Sequence, residues 1–190
     1  HMEGSYDYGR LDKLTNGWRG RIPNYSVTLG GGIHIIDMML WISGKKVSMV
    51  FAQGNNEATS NSQFEGHSLT TSTIKFEDGT TGQLTSNYAS FAPHHHKLCV
   101  YGTSGTFEQA HCGSSYYWSK DPLEKTEVVS SDYPGAVKGD LIADFIDSIF
   151  SGKPPIIPKQ EVFDAISVCL AIDKSISLGT PQEVVYEKIL

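Results

Sequence analysis

Cysteine is scarce: Cys99, Cys112 and Cys169 are the only three in 190 residues, widely spaced and without a CxxC pair. That spacing excludes a disulfide framework and a structural zinc ribbon. It points to free thiols, expected to be buried and inert, in a reducing cytoplasm. Basic charge is also short. Fifteen Lys and Arg stand against 21 Asp and Glu, a net charge of −6, so a phosphate-tracking nucleic-acid binder is not expected. No apolar run approaches the roughly 20 residues of a membrane span, and no secretory leader is visible. Phosphate-cradling signatures are missing too: the chain has no GxGxxG after a strand and no GxxxxGK[ST]. What remains is a globular composition, 39% hydrophobic and 19% charged, long enough for one core. His1-Met2 reads as a cloning remnant, so a single domain is expected over 3–190.

The pattern along the chain is helix, strands, then helices. Residues 33–42 form an apolar run after Gly30-Gly31-Gly32, closed by Gly44, and read as a short helix buried on several faces. From Val47 to Val129 the texture is strand-like. Residues 69–76 alternate, Asp78-Gly79 supplies a hairpin turn, and residues 81–88 return. Further strands are expected at 97–101, 106–108, 115–118 and 126–129. Leu141, Phe145 and Ile149 share a helical line, flanked by Ile142, Ile146 and Phe150. Gly152 and Pro154-Pro155 end that helix. A second, over 159–177, is expected to bury Val162, Phe163, Ile166, Cys169, Leu170 and Ile176, with an edge strand near 183–186. Segregated strands and helices imply an α+β fold with an open, mainly antiparallel β-sheet and helices packed on one face.

The run Gly30-Gly31-Gly32-Ile33-His34-Ile35-Ile36-Asp37 carries the most chemistry. Three glycines allow positive φ and close approach of another group. His34 is expected in the first helical turn, where the macrodipole disfavours imidazolium, and a neutral imidazole suits proton exchange with an alcohol or carbonyl. Asp37, one turn on, is placed to orient that ring. The plainer alternative is a flexible lead-in followed by a core histidine.

Residues 30–44 resemble the helix that opens the C-terminal domain of the Gfo/Idh/MocA oxidoreductases, the glucose–fructose oxidoreductase and inositol dehydrogenase relatives. Residues 98–108 are similar to the family's strand–turn–strand, residues 76–82 to the preceding hairpin, and residues 141–146 with Gly152-Lys153-Pro154 to its C-terminal ending. The resemblance implies a substrate-binding and oligomerisation domain of an NAD(P)-dependent sugar or polyol oxidoreductase. It implies that NAD or NADP belongs to an N-terminal Rossmann domain absent from this chain, which alone is expected to be inactive. His34 matches the family's active-site histidine and Asp37 the acid three residues later. Gly30 departs from the aspartate that many dehydrogenating members carry four residues before the histidine. That departure keeps open a non-catalytic ligand-binding or interaction module with the same fold.

Weaker candidates surround this core. Tyr8, Arg10 and Arg19, in a segment crowded with Tyr6, Lys13 and Trp18, suit stacking on and hydrogen-bonding to a sugar-like polyol or its acidic derivative. In His94-His95-His96, neighbours on a strand point to opposite faces, so the three cannot converge on one metal ion. His96 is taken as a substrate-side imidazole. A metal-dependent lyase or hydrolase built on these histidines is the third reading. An exposed sheet face is expected to be apolar and to be covered in a homodimer.

Overall fold

A computed structural model describes residues 1–129 and 139–188. Its strands are β1 (Met2–Asp7), β2 (Val47–Asn55), β3 (Leu69–Phe76), β4 (Thr81–Asn87), β5 (His95–Tyr101), β6 (Thr106–Ala110), β7 (Gly113–Tyr117), β8 (Glu127–Val129) and β9 (Gln182–Glu183). The helices are α1 (Asp12–Thr15), α2 (Ile33–Ser43), α3 (Asp140–Ser151) and α4 (Lys159–Leu178). All nine strands join one sheet in the order β8-β7-β6-β5-β1-β4-β3-β2-β9. Only the β1–β4 pair is parallel; the other pairs are antiparallel. The hairpin at Asp78-Gly79 forms as the sequence indicates, with Gly79 at φ +88°. Met2, set aside in the sequence as extraneous, opens the central strand opposite Gly82 and Val100 and is buried.

Alternation decides which face carries the core. Gly4 and Tyr6 of β1, Leu84 and Ser86 of β4, and Ile74 and Phe76 of β3 point to the helical side. There Ile35, Ile36 and Met39 of α2 close over them, and a Cβ on Gly4 would overlap Ile35. Helix α4 lays Ala165, Val168, Cys169 and Ile172, an i, i+3, i+4, i+7 stripe, into the same core. Ser175 ties it to β2, accepting from the Ala52 amide at 3.0 Å and donating to the Thr180 carbonyl at 2.8 Å.

Three expectations about burial are corrected. The outward sheet face is mainly polar: Thr71, Thr73 and Lys75, Gln83 and Thr85, Glu3 and Ser5, and Lys97 line it, with Met49, Phe51, Tyr101 and Tyr117 among them. A sheet covered on one side needs apolar residues only at alternate positions. Val162, Phe163 and Leu170 are exposed, because the buried stripe of α4 runs through Ala165 and Val168 instead. Trp41 and Ile42 likewise leave α2 open on one side. Helix α3 presents Leu141, Ile142, Phe145, Ile146, Ile149 and Phe150 to solvent, with Phe150 at 86% exposure. A helical period identifies an apolar stripe without naming what covers it.

The close seat of residues 30–32 on the sheet gives a direct test. A Cβ on Gly31 would overlap the buried Tyr6 ring, so Gly31→Ala should cost about 1–3 kcal/mol of stability. Chemical denaturation measures it, and unchanged stability would show that the turn has room to spare.

Candidate functional site

Ser26 starts the helix that carries His34. Its hydroxyl oxygen accepts from the Thr28 and Leu29 amides, each at 3.1 Å, and donates to Asp173 at 2.8 Å. Burial pushes the Asp173 carboxyl above the ordinary range, while the Ser26 hydroxyl pulls it back. The chain is helical from Val27 and widens into a π turn over Thr28–Gly32 before α2. None of the three glycines has positive φ, which corrects the expectation of a left-handed, flexible approach. They are needed for space. A Cβ on Gly30 would overlap the Tyr25 hydroxyl, one on Gly31 the Tyr6 ring, and one on Gly32 the Ser86 hydroxyl.

Two consequences follow. His34 lies roughly two turns inside a continuous helix, so it does not occupy the positive end assigned to it from sequence. The place where an aspartate side chain would begin at position 30 is filled by Tyr25, whose hydroxyl pairs with that of Tyr88 at 3.0 Å.

His34 is exposed and its ring stacks on two others. Its centroid lies 5.7 Å from Tyr6 and 5.6 Å from His96. His96 is 5.0 Å from Tyr6 and 5.0 Å from His94, and His94 is 5.2 Å from both Tyr6 and Tyr8. Strand register builds this group, since Tyr6 stands opposite both His96 on β5 and Ser86 on β4. His95 points to the other face and stacks on His111 at 4.0 Å. The Arg10 guanidinium lies 5.0 Å over the Tyr8 ring, and Arg19 lies 4.6 Å over Trp18.

Burial governs protonation here. It pushes His96 down to about 4, helped by the charges of His94, His34 and His95. His94 is lowered by burial and then by Arg10, His34 and His95. Tyr6 is pushed up to about 12 by burial, then by Tyr8 and Tyr25, against the opposing pull of Arg10 and Arg19. His94 and His96 are therefore neutral at pH 7. The His96 Nε2 is buried and has no hydrogen-bond partner among the described residues. A neutral imidazole thus lies against the exposed His34 ring, an arrangement suited to exchanging a proton with a hydroxyl brought to His34.

Of the residues singled out from sequence, His34, His96, Tyr8 and Arg10 come together, and the charge of Arg19 reaches Tyr6 and Tyr88. Asp37 does not pair with His34. It lines a separate cleft with Leu40, Trp41, Lys45 and Asp164, while stacking on Tyr6 and His96 draws the histidine ring toward the sheet. Tyr6 and His94 also join this cluster; both stood among the sequence candidates but were passed over for Tyr8 and His96. Their signal was the two-residue spacing in Tyr6-x-Tyr8 and His94-x-His96. Cys99 and Cys169 are buried as expected, but Cys112 is exposed. A cavity of about 850 Å³ between residues 14–21 and 57–63 has none of the stacked imidazoles in its wall.

Among the described residues no group of three or more His, Cys, Asp or Glu is placed to hold a metal ion. A dinucleotide pyrophosphate needs open backbone at a helix N-terminus. Here Tyr6, Tyr25 and Ser86 cover the glycines and Ser26 takes the first amides. The residues present do not fit such a cofactor.

Residues 1–108 match the model of the GFO/IDH/MocA C-terminal domain. Levoglucosan dehydrogenase solved with NADH is 16% identical, covering 98% of this chain and 58% of that one, with a TM-score of 0.76. UDP-N-acetylglucosamine 3-dehydrogenase of Acidithiobacillus ferrooxidans is 15% identical over 93% of this chain and 53% of its own, at a TM-score of 0.74. A provisionally assigned NADPH-dependent oxidoreductase of Desulfitobacterium hafniense is 20% identical over 96% and 56%, at 0.78. The chain thus spans 53–59% of the length of these and similar solved structures. No curated protein matches it.

A folded His96 that titrates near 4, against 6.5 when unfolded, makes the unfolded chain bind the proton first as pH falls. Its contribution to stability is present above pH 6.5 and is lost between 6.5 and about 4. His96→Asn should therefore flatten the fall in melting temperature over that window, by the equivalent of up to one proton. An identical pH profile for the variant would mean that His96 is not held neutral.

Proposed function

The chain belongs to the GFO/IDH/MocA C-terminal domain family, and from that premise we propose that it is the substrate-binding and oligomerisation domain of an NAD(P)-dependent oxidoreductase acting on a sugar- or polyol-like CH–OH group. The observation that carries this reading is the exposed His34 ring stacked on Tyr6 and His96. In this reading His34 exchanges the proton of the reacting hydroxyl. The neutral His96 and His94 hold that hydroxyl without competing for its proton. Tyr8, Arg10 and Arg19 bind the remainder of the substrate. Asp37 stays a secondary candidate, acting only through a movement that brings it to His34.

Among the described residues the covered glycine run offers no dinucleotide cradle, and the nicotinamide nucleotide is assigned to another domain of the whole protein. The apolar side of α3, with Phe145, Ile149 and Phe150 exposed, gives that domain a surface to cover. Two chains would meet through the outward sheet face, burying Met49, Tyr101 and Tyr117 within a polar surround. A reducing cytoplasm suits the three free cysteines. One observation favours the alternative, a ligand-binding module without catalysis: Tyr25 fills the space beside Gly30.

One pair of experiments tests the proposal. In the whole protein, His34→Ala should lower kcat roughly 10²–10⁴-fold with substrate still bound. The 190-residue chain alone should neither turn over nor bind NADH. Full kcat in the variant would favour the non-catalytic module, and saturable NADH binding to the isolated chain would contradict the division of labour.

A further inference from the structure

The rings of the site carry two guanidinium groups beside them and, among the described residues, no carboxylate paired with either. Arg10 lies 5.0 Å over Tyr8 and Arg19 lies 4.6 Å over Trp18. Among the described residues the salt bridges join His1 to Glu3, Lys13 to Asp12 and Lys46 to Asp164, and neither arginine takes part. The acids nearest in sequence are turned elsewhere: Asp12, two residues from Arg10, pairs with Lys13 at 3.7 Å. Asp7 points to the outward face and accepts from Ser5 at 2.7 Å, and Asp37 lines the cleft with Trp41 and Lys45. Asp173 is held by Ser26. The charges felt by Tyr6, Tyr88, His94 and His96 come from Arg10, Arg19 and neighbouring rings, with no Asp or Glu among them.

Uncompensated guanidinium beside neutral imidazoles and phenols is complementary to an oxyanion. An uncharged sugar needs hydrogen-bond partners of both kinds, and carboxylates commonly supply the acceptors. This site is rich in donors with fixed positive charge. The rings also order the site in space. From Arg10 the path runs over Tyr8 to His94 and on to His96 and His34, in steps of 5.0 to 5.6 Å between neighbours. A molecule with a hydroxyl at His34 and His96 has this row of rings leading from that hydroxyl toward Arg10.

We propose that the substrate is an anionic polyol, with one hydroxyl at His34 and His96 and an oxyanion, carboxylate or phosphate, on Arg10 with Arg19 nearby. This rests on the reading of the cluster as the substrate site and adds the charge of what it binds. The arginines then act as specificity determinants. Arg10 leaves its place over Tyr8 only slightly to reach the anion, because a guanidinium can stack on a ring and donate in its own plane at once.

The test titrates the 190-residue chain with D-gluconate, D-glucose 6-phosphate, D-glucose and D-glucitol, following the His34, His94 and His96 ring resonances by NMR. At least one anionic compound should bind tenfold or more tighter than both neutral ones. Whichever of gluconate and glucose 6-phosphate prevails assigns the oxyanion. Arg10→Gln should remove that preference, bringing the anionic compounds down to the affinity of the neutral ones. Neutral compounds binding as tightly as the anions, with the same resonances moving, would overturn the charge assignment and leave the substrate site standing. If none of the four moves those resonances, both the charge assignment and the site reading fall. Arg10→Gln that keeps the full preference would overturn the role of Arg10.

Discussion

Everything at the site depends on how closely residues 30–32 approach the sheet. Where most turns carry side chains, this one carries none, and the space is taken by Tyr6 and Ser86 from below and Tyr25 from the side. With Ser26 fixing where the helix starts and Gly31 pressed onto Tyr6, the direction of α2 is set. His34 is then delivered over the ring that supports it. A larger residue at 31 would lift the helix, and the stack of Tyr6, His34 and His96 would lose its common partner.

The same crowding produces the electrostatics. Tyr6 is buried and His96 partly so, in a region where the fixed charges are guanidinium. Imidazolium is therefore penalised twice, by lost hydration and by like charge. The mainly polar outward face and the apolar side of α3 divide the remaining surface by chemistry. The sheet offers threonine, glutamine and lysine, whereas α3 offers leucine, isoleucine and phenylalanine. These are different kinds of contact, and they suit different partners.

Much of the fold was legible because its signals are local. The alternation over residues 69–76, the Asp78-Gly79 turn and the glycine stops at 44 and 152 each identify an element from its own residues. The site was legible only in part. His34 was marked by the glycines before it, although the glycines serve close approach rather than positive φ. Tyr6 and His94 join it through cross-strand register between residues about 90 apart, and a single sequence does not encode which strands become neighbours. Asp37 has the right helical spacing, but aromatic stacking outside the helix decides where the His34 ring turns. The expected burial of Phe163 failed for a related reason: period tells that a stripe exists, not that anything among the described residues lies against it.

The central claim is that one surface cluster holds His34, Tyr6 and His96 in mutual contact. Proton–proton cross-relaxation between the ring resonances of these three residues in solution tests it most directly. The account requires cross-peaks linking His34 to both Tyr6 and His96, lost together when Tyr6 is replaced by leucine. A His34 ring that shows sharp, solvent-averaged resonances with no cross-peak to either neighbour would contradict it.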